Sequence, residues 1–459
     1  MVATFIVFLF IVYFIYTSKF FESSSFSKQL IIVVYLIKLL FAAVLFYMYT
    51  YYYSDLSKND IYKYYTDSKV LVELFYNSPK AFVNFISGNN VATIDSKLIY
   101  WQKTNGYGFY NDNKTLILIQ AFLGILTFKS IGVNFVVFTF ISFTSIFGLI
   151  KCFENFQLIP SKFTFFIIFF FPSVLLWSSG PTKESLILSS INAIIYQLVR
   201  YNSSKKTVNL FFMFFFLISL FISKNYMFGL LGVAASIFIL WKLFPKIPIC
   251  LTGFLHLVFL ICSIFIIDLM YPALKGIDFE KKTVEQRSFS EQKKLSKAYQ
   301  LQVSGKTYNI LNTLSFKQRD NLLESKVENA NSNIRIKKIN GSFKHFLAAF
   351  PLAIWNTLFF PSCPNIFLGF KAIYYLENLF LLILLFYSVY HFNRCKSTNL
   401  RKMASFLILF SFLVFVFQGM ITPVLGNLYR YKSVVIPILC FALILSSNSK
   451  LFFDKSKVS

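Results

Sequence analysis

Three short stretches of this 459-residue chain hold side chains whose types and spacing suit chemistry. The first runs Ser54-Asp55-Leu56-Ser57-Lys58-Asn59-Asp60-Ile61-Tyr62-Lys63-Tyr64-Tyr65-Thr66-Asp67. Asp60, Tyr64 and Asp67 are spaced i, i+4, i+7, so on a helix they share one face. A carboxylate there can take a proton from a sugar hydroxyl as general base, which makes Asp60 and Asp67 the candidate catalytic residues. The second stretch is Phe171-Pro172-Ser173-Val174-Leu175-Leu176-Trp177-Ser178-Ser179-Gly180-Pro181-Thr182-Lys183-Glu184-Ser185. Its Ser-Ser-Gly turn offers amides and hydroxyls to an anion, with Lys183 as a point charge. A helix starting near Pro181 would favour an anion at its N-terminus, and Glu184 also suits that first turn. The third stretch, Pro423 to Lys432, sets Arg430 between Tyr429 and Tyr431. Arg430 can hold a phosphate bidentately while the rings stack on a sugar or on the guanidinium. Each stretch also has a plainer reading: an interfacial aromatic belt with ordinary acids, a capped turn with an interface lysine, and an aromatic belt with a snorkelling arginine.

The elements that must position these residues are membrane helices. The chain is 56% hydrophobic, 20% aromatic and only 14% charged, with a mean hydropathy of +0.62. Soluble domains carry about twice that charge, and disorder needs low hydrophobicity, so both classes are excluded. Apolar runs approach the length a bilayer requires at 2–16, 29–53, 163–177, 186–200, 208–223, 226–241, 249–270, 366–392, 403–421 and 433–447. With one crossing inside 116–150 this predicts an all-α polytopic membrane protein of about eleven transmembrane helices, range 10–13. The first run lacks a basic n-region and an A-x-A-like site, so it reads as a retained helix.

Charge sets the orientation. Sixteen Lys and Arg fall in the loops on one side, against Lys183, Lys224, Arg430 and Lys432 in the short loops on the other. The positive-inside rule then predicts a multi-pass protein of the cell membrane, N-terminus out and C-terminus in. The whole chain, 1–459, reads as a single membrane domain with two long outer loops, 54–115 and the basic 271–343. Amphipathic surface helices are expected around 278–302 and 313–339. Segment 344–365, with Pro351, Pro361 and Pro364, is expected to be interfacial or re-entrant, because proline interrupts helix. Lys38 and Glu377 lie within spans, where charge is expensive; they are expected to pair with one another or to line a polar cavity, Lys38 having the alternative of snorkelling.

The net charge of +26 points to membrane lipid headgroups or lipid-linked phosphate as partner, not nucleic acid, because no basic domain stands apart from the apolar runs. His256, His345 and His391 are scattered, and none of the six cysteines forms a C-x-x-C pair, so neither a metal site nor a cofactor is expected. Gly305-Lys306-Thr307 imitates the end of a P-loop, but Gln300 stands where a glycine is needed.

Taken together, the acidic outer loop near the N-terminus, Phe-Pro-Ser…Trp-Ser-Ser-Gly…Lys-Glu, the Pro-rich segment before Tyr375-Leu376-Glu377-Asn378, and Arg430-Tyr431-Lys432…Pro437 are similar to bacterial polytopic glycan-assembly proteins. These are the C-type, polyprenyl-phosphate-sugar-dependent glycosyltransferases and the polysaccharide repeat-unit polymerases. The resemblance covers most of the hydropathy outline and a small set of motif residues. It implies a catalytic acid in the first outer loop, Asp60 or Asp67 here, and a donor phosphate met by Arg430. Two departures stand out: the acidic loop follows the second span rather than the first, and a paired Asp-Glu is absent. The activity implied is sugar transfer from a polyprenyl-phosphate-linked donor on the outer face. A transporter or flippase of lipid-linked glycans, or a non-enzymatic membrane partner, is the alternative.

Overall fold

The computed structural model describes residues 2–52, 59–88, 97–101, 112–243, 310–327, 332–340, 343–361, 369–392, 397–447 and 451–453. Among these residues every regular element is a helix, and β contacts are confined to the isolated bridges Pro160–Phe453 and Asn333–Val424. The helices are α1 (Val2–Thr17), α2 (Lys28–Tyr47), α3 (Asp60–Asn77), α4 (Pro79–Ile86), α5 (Asp112–Thr127), α6 (Ile131–Asn155), α7 (Lys162–Phe169), α8 (Pro172–Trp177) and α9 (Lys183–Ser204). There follow α10 (Thr207–Ser223), α11 (Asn225–Leu243), α12 (Ile310–Val327), α13 (Phe343–Leu358), α14 (Phe370–His391), α15 (Thr398–Ile421), α16 (Leu425–Lys432) and α17 (Ile436–Ser447).

Several of these helices are apolar all round, which is the pattern of a helix surrounded by protein or lipid rather than water. Helix α1 leaves Phe5, Phe10 and Tyr13 facing outward, and α10 leaves Phe211, Phe214 and Phe215. So much outward apolar surface belongs in a bilayer. Among the described residues, four helical stretches are long and apolar enough to cross one: Lys28–Tyr52, Ile131–Asn155, Lys371–His391 and Thr398–Ile421. Helices α16 and α17, bent by 52°, make a fifth if taken as one broken span. The described residues thus make up an all-helical membrane protein.

Helix α6 forms the centre, packing against α9, α2 and α1; α15 packs against α17, α13 and α11, and α3 against α5. Between lipid-facing helices there is no water to expel, so close packing must hold them. Aromatic rings supply much of it, with Phe143, Phe147, Phe153, Phe169, Phe410 and Phe441 fully buried. Glycine supplies closeness at two crossings. A Cβ on Gly419 would stand 2.3 Å from the Ala353 carbonyl oxygen, and one on Gly180 would stand 2.8 Å from Leu45 and 3.1 Å from the Phe135 ring.

Helix starts are capped as their sequences dictate. Ser27, Ser161 and Ser397 accept the N–H of Leu30, Thr164 and Leu400, satisfying donors that the first turn would leave orphaned. All three caps sit at one end of the bundle, among Lys28, Lys162, Arg401 and Lys402. At the opposite end Asp112 meets Lys183 and Lys224, and the Thr4 and Ser130 hydroxyls meet at 3.0 Å. Both ends of α5 therefore lie toward that second end.

The structure corrects three local expectations. Span 163–177 is broken into α7 and α8, because Pro172 has no N–H to continue a helix and instead opens a new one at its favoured first position. Helix α12 is described over Ile310–Val327, and 333–340 is not helical, with Ile334 N–H donating to Pro423 O at 2.7 Å. Pro351 lies inside α13 instead of interrupting it. The expected span 249–270, the surface helix 278–302, and residues 54–58, 89–96, 102–111, 271–309, 328–331, 341–342 and 362–365 of the expected loops fall outside the described residues.

Candidate functional site

Helix α8, the Pro172–Trp177 piece of the second motif, is held at both ends by buried charge. Glu377 of α14 accepts the Ser173 N–H at 2.9 Å and the Ser173 hydroxyl at 2.8 Å. At the other end Lys38 of α2 donates to Ser178 Oγ at 2.5 Å. A carboxylate at the N-terminus and an ammonium at the C-terminus both complement the peptide dipoles. Lys38 and Glu377 therefore do not pair with one another; each takes a serine of the same short helix. Glu377 instead has Lys432 as its opposite charge, and Lys432 donates to Thr357 O at 2.9 Å and to Asn378 Oδ1.

The Ser-Ser-Gly turn does not offer its hydroxyls to an anion. Ser178, Ser179 and Ser185 donate to the carbonyls of Val174, Leu175 and Gly180, at 2.5–2.6 Å. Thr182 caps α9 by accepting the Ser185 N–H. A buried turn must satisfy its own carbonyls before it can serve a ligand. What the turn does achieve is placement: it delivers Lys183 and Glu184 to the first turn of α9.

There the three motifs meet. Arg430 Nη2 donates to Glu184 Oε2 at 2.9 Å, and Arg430 Nη1 donates to Asp60 Oδ2 at 3.1 Å. Lys183 pairs with Asp112 at 2.8 Å, donates to Asn113 Oδ1 at 2.8 Å, and sits 5.2 Å over the Tyr64 ring. Lys224 shares Asp112 at 3.3 Å. Three acids thus face three bases, from α3, α5, α9, the α10–α11 turn and α16. Burial is graded: the Asp112 and Glu184 side chains are 0% and 2% exposed, that of Arg430 11%, that of Asp60 40%. Asp60 is the carboxylate that opens to solvent. Burial alone would raise its proton affinity, but Arg430, Lys63 and Lys183 outweigh burial and hold the carboxyl below its ordinary value. Two buried donors in the cluster have no partner among the described residues, Arg430 Nε and Trp177 Nε1, and the guanidinium carbon lies 6.0 Å from the Trp177 ring centre.

The shared face of Asp60, Tyr64 and Asp67 forms as expected on α3, but the two acids differ. Asp67 is fully buried and accepts the N–H of Ile99 at 3.1 Å and of Tyr100 at 2.7 Å. Burial raises its carboxyl despite those bonds. It anchors the 97–101 segment and meets no solvent, so it is not placed to touch a substrate. Tyr429 is likewise buried, stacked on Tyr374 at 3.8 Å with its hydroxyl donating to Phe360 and Tyr374 carbonyls, which leaves no face for a sugar. Tyr431 lies within electrostatic range of Arg430, Glu184, Asp60 and Lys224. Asp112, Lys224 and Trp177 belong to the cluster without having been singled out. Their signal was that each stands alone at the end of an apolar run, where charge or indole must find a partner.

No family model matches this sequence, and no curated protein or solved structure matches it.

Proposed function

We propose that this protein is a membrane glycosyltransferase or glycan polymerase that takes its sugar from a polyprenyl-phosphate-linked donor. The observation that carries the reading is the convergence of Asp60, Lys183, Glu184 and Arg430, drawn from three distant motifs, on one ionic cluster whose open member is a carboxylate. In this reading Asp60 receives the proton of the acceptor hydroxyl. The acceptor oxygen bonds to the sugar's anomeric carbon as the bond from that carbon to the phosphate oxygen breaks, and the lipid phosphate leaves with the electron pair. Arg430 and Lys183 supply the positive charge that stabilises the departing phosphate, and Glu184 keeps the guanidinium oriented. A positioned base supplies about 10²–10⁴ in rate, and oriented charge the remainder.

The reading has eleven crossings, the cluster end outside and the end bearing Lys28, Lys162 and Arg401 in the cytoplasm, in keeping with the positive-inside rule. The donor's lipid enters laterally, leaving its headgroup at the cluster.

The test is glycan production in cells lacking the native copy, with protein in the membrane fraction measured in parallel. Asp60→Asn keeps size and removes the base, so production should fall about 10²-fold or more with protein level maintained. Arg430→Lys should weaken donor use, since a point charge cannot replace the fork. Full production from Asp60→Asn overturns the base assignment. Full production from Arg430→Ala as well leaves the reading of a non-enzymatic membrane partner.

A further inference from the structure

The flank of α3 that carries Tyr62, Lys63, Tyr65 and Lys69 lines, together with Ile99 and Tyr100, an open cleft of about 370 Å³. That volume falls within the range of small-ligand sites. Its walls are fixed rather than loose. The Tyr62 hydroxyl bonds Thr50 Oγ1 at 2.5 Å, the Tyr65 hydroxyl donates to Lys129 O at 2.5 Å, and the two rings meet edge to face at 6.5 Å. The facing wall is held by Asp67, through the Ile99 and Tyr100 N–H groups. Two cations stand over the rings: Lys63 lies 5.5 Å from the Tyr100 centroid and Lys69 lies 5.0 Å from that of Tyr65. Neither lysine forms an ion pair with a carboxylate among the described residues.

Pinned tyrosine faces suit the C–H faces of sugar rings, and the two ammonium groups suit an anion, Lys69 more freely than Lys63, whose charge also acts on Asp60. Lysine rather than arginine suits a single acidic group carried at variable angle, because its donors rotate where a guanidinium fork does not. The cleft is also coupled to the cluster. Lys63 follows Asp60 by one helical turn, and Asn113 accepts from Lys183 while donating to the Tyr100 carbonyl at 3.0 Å. We infer that this cleft is a binding subsite for an anionic saccharide, a carboxylate-bearing sugar of the acceptor glycan, presented to Asp60 from the aqueous side. The inference rests on the glycan-transfer reading above and adds to it the chemical class of the acceptor.

The experiment uses the full chain in nanodiscs of neutral phosphatidylcholine and measures binding of tetragalacturonate, of a neutral galactose tetramer, and of phosphatidylglycerol vesicles. Tetragalacturonate should bind in preference to the neutral tetramer and more weakly as salt rises. Lys63→Gln with Lys69→Gln should weaken it about tenfold, the loss expected from two half-exposed cations. Tyr65→Phe, which keeps the ring but releases its hydroxyl anchor on Lys129 O, should weaken binding less than Tyr65→Ala does. Equal binding of the acidic and neutral tetramers, or unchanged affinity in the double lysine variant, overturns the proposal. Phosphatidylglycerol capture that depends on the same two lysines while tetragalacturonate is ignored overturns it too, and makes the cleft a headgroup contact. Because binding needs no turnover, the two readings fail separately. Asp60→Asn without glycan production, together with no tetragalacturonate binding, sinks the subsite alone. Tetragalacturonate binding together with full production from both Asp60→Asn and Arg430→Ala sinks the transfer reading alone.

Discussion

Arg430 and Asp60 stand 370 residues apart in sequence and meet at 3.1 Å, with Glu184 completing the arginine's second contact at 2.9 Å. The two carboxylates differ in access: Glu184 is sealed in, and Asp60 faces out.

The Asp60 contact has a defined pH signature. Its carboxyl is held below its ordinary value of 3.8, so the stability it contributes is fully present above that value. It is lost as pH falls through the lowered folded value. The gap in thermal midpoint between native protein and Asp60→Asn, measured in detergent, should therefore be constant from pH 8 to pH 5 and close only below about pH 4. A gap that closes near pH 6 would contradict the pairing. Asp67 acts with the opposite sign: its carboxyl is raised, so its charged form costs stability at neutral pH and that cost is relieved as pH falls through the raised value.

Glu184 and Asp60 should back each other up. Glu184→Gln alone leaves Arg430 with Asp60 and should cost about 1–3 kcal/mol. Removing both carboxylates strands a buried guanidinium, at a cost on the order of 3–5 kcal/mol. Unfolding of the single and double variants should show a coupling of about 1 kcal/mol or more beyond additivity. Strict additivity would mean that the arginine is not shared.

The two clamps on α8 should respond unequally. Glu377→Ala orphans the Ser173 N–H and hydroxyl inside the bundle, and protein in the membrane fraction should drop sharply. Glu377→Gln keeps an acceptor and should rescue part of the loss. Lys38→Met removes a buried charge while Ser178 retains its bond to the Val174 carbonyl, so the fold should survive. Equal loss in Glu377→Ala and Lys38→Met would show that the clamp works by charge at both ends.

Sidedness can be read with an impermeant thiol reagent on intact cells, in a background without reactive native cysteines. Ser87→Cys should label, and Ser204→Cys and Ser397→Cys should not; all three positions are exposed. Labelling at Ser204 and Ser397 but not Ser87 would invert the orientation and move the cluster to the cytoplasm.

Hydropathy and local propensity were enough to announce an all-helical membrane protein, because an apolar run has few ways to satisfy its backbone in lipid other than a helix. Caps at Ser27, Ser161 and Ser397 follow local rules of the same kind, whereas the break at Pro172 lies inside a run that hydropathy reads as one span. The motif residues Asp60, Lys183, Glu184 and Arg430 were visible too, since charge beside an apolar run stands out. Their partnership was not visible. A sequence does not state which helix ends share a depth and a side, so the pairing of Arg430 with both Asp60 and Glu184, and the place of Asp112 and Lys224 beside them, came only from the packing of α3, α5, α9 and α16. Packing also separated residues that looked equivalent. Asp60 and Asp67 lie on one face of one helix, yet the 97–101 segment covers one and leaves the other open. Tyr429 and Tyr431 flank the same arginine, yet Tyr374 stacks on the first. Periodicity sets the direction in which a side chain points, while its solvent and partners depend on what the rest of the chain brings against it.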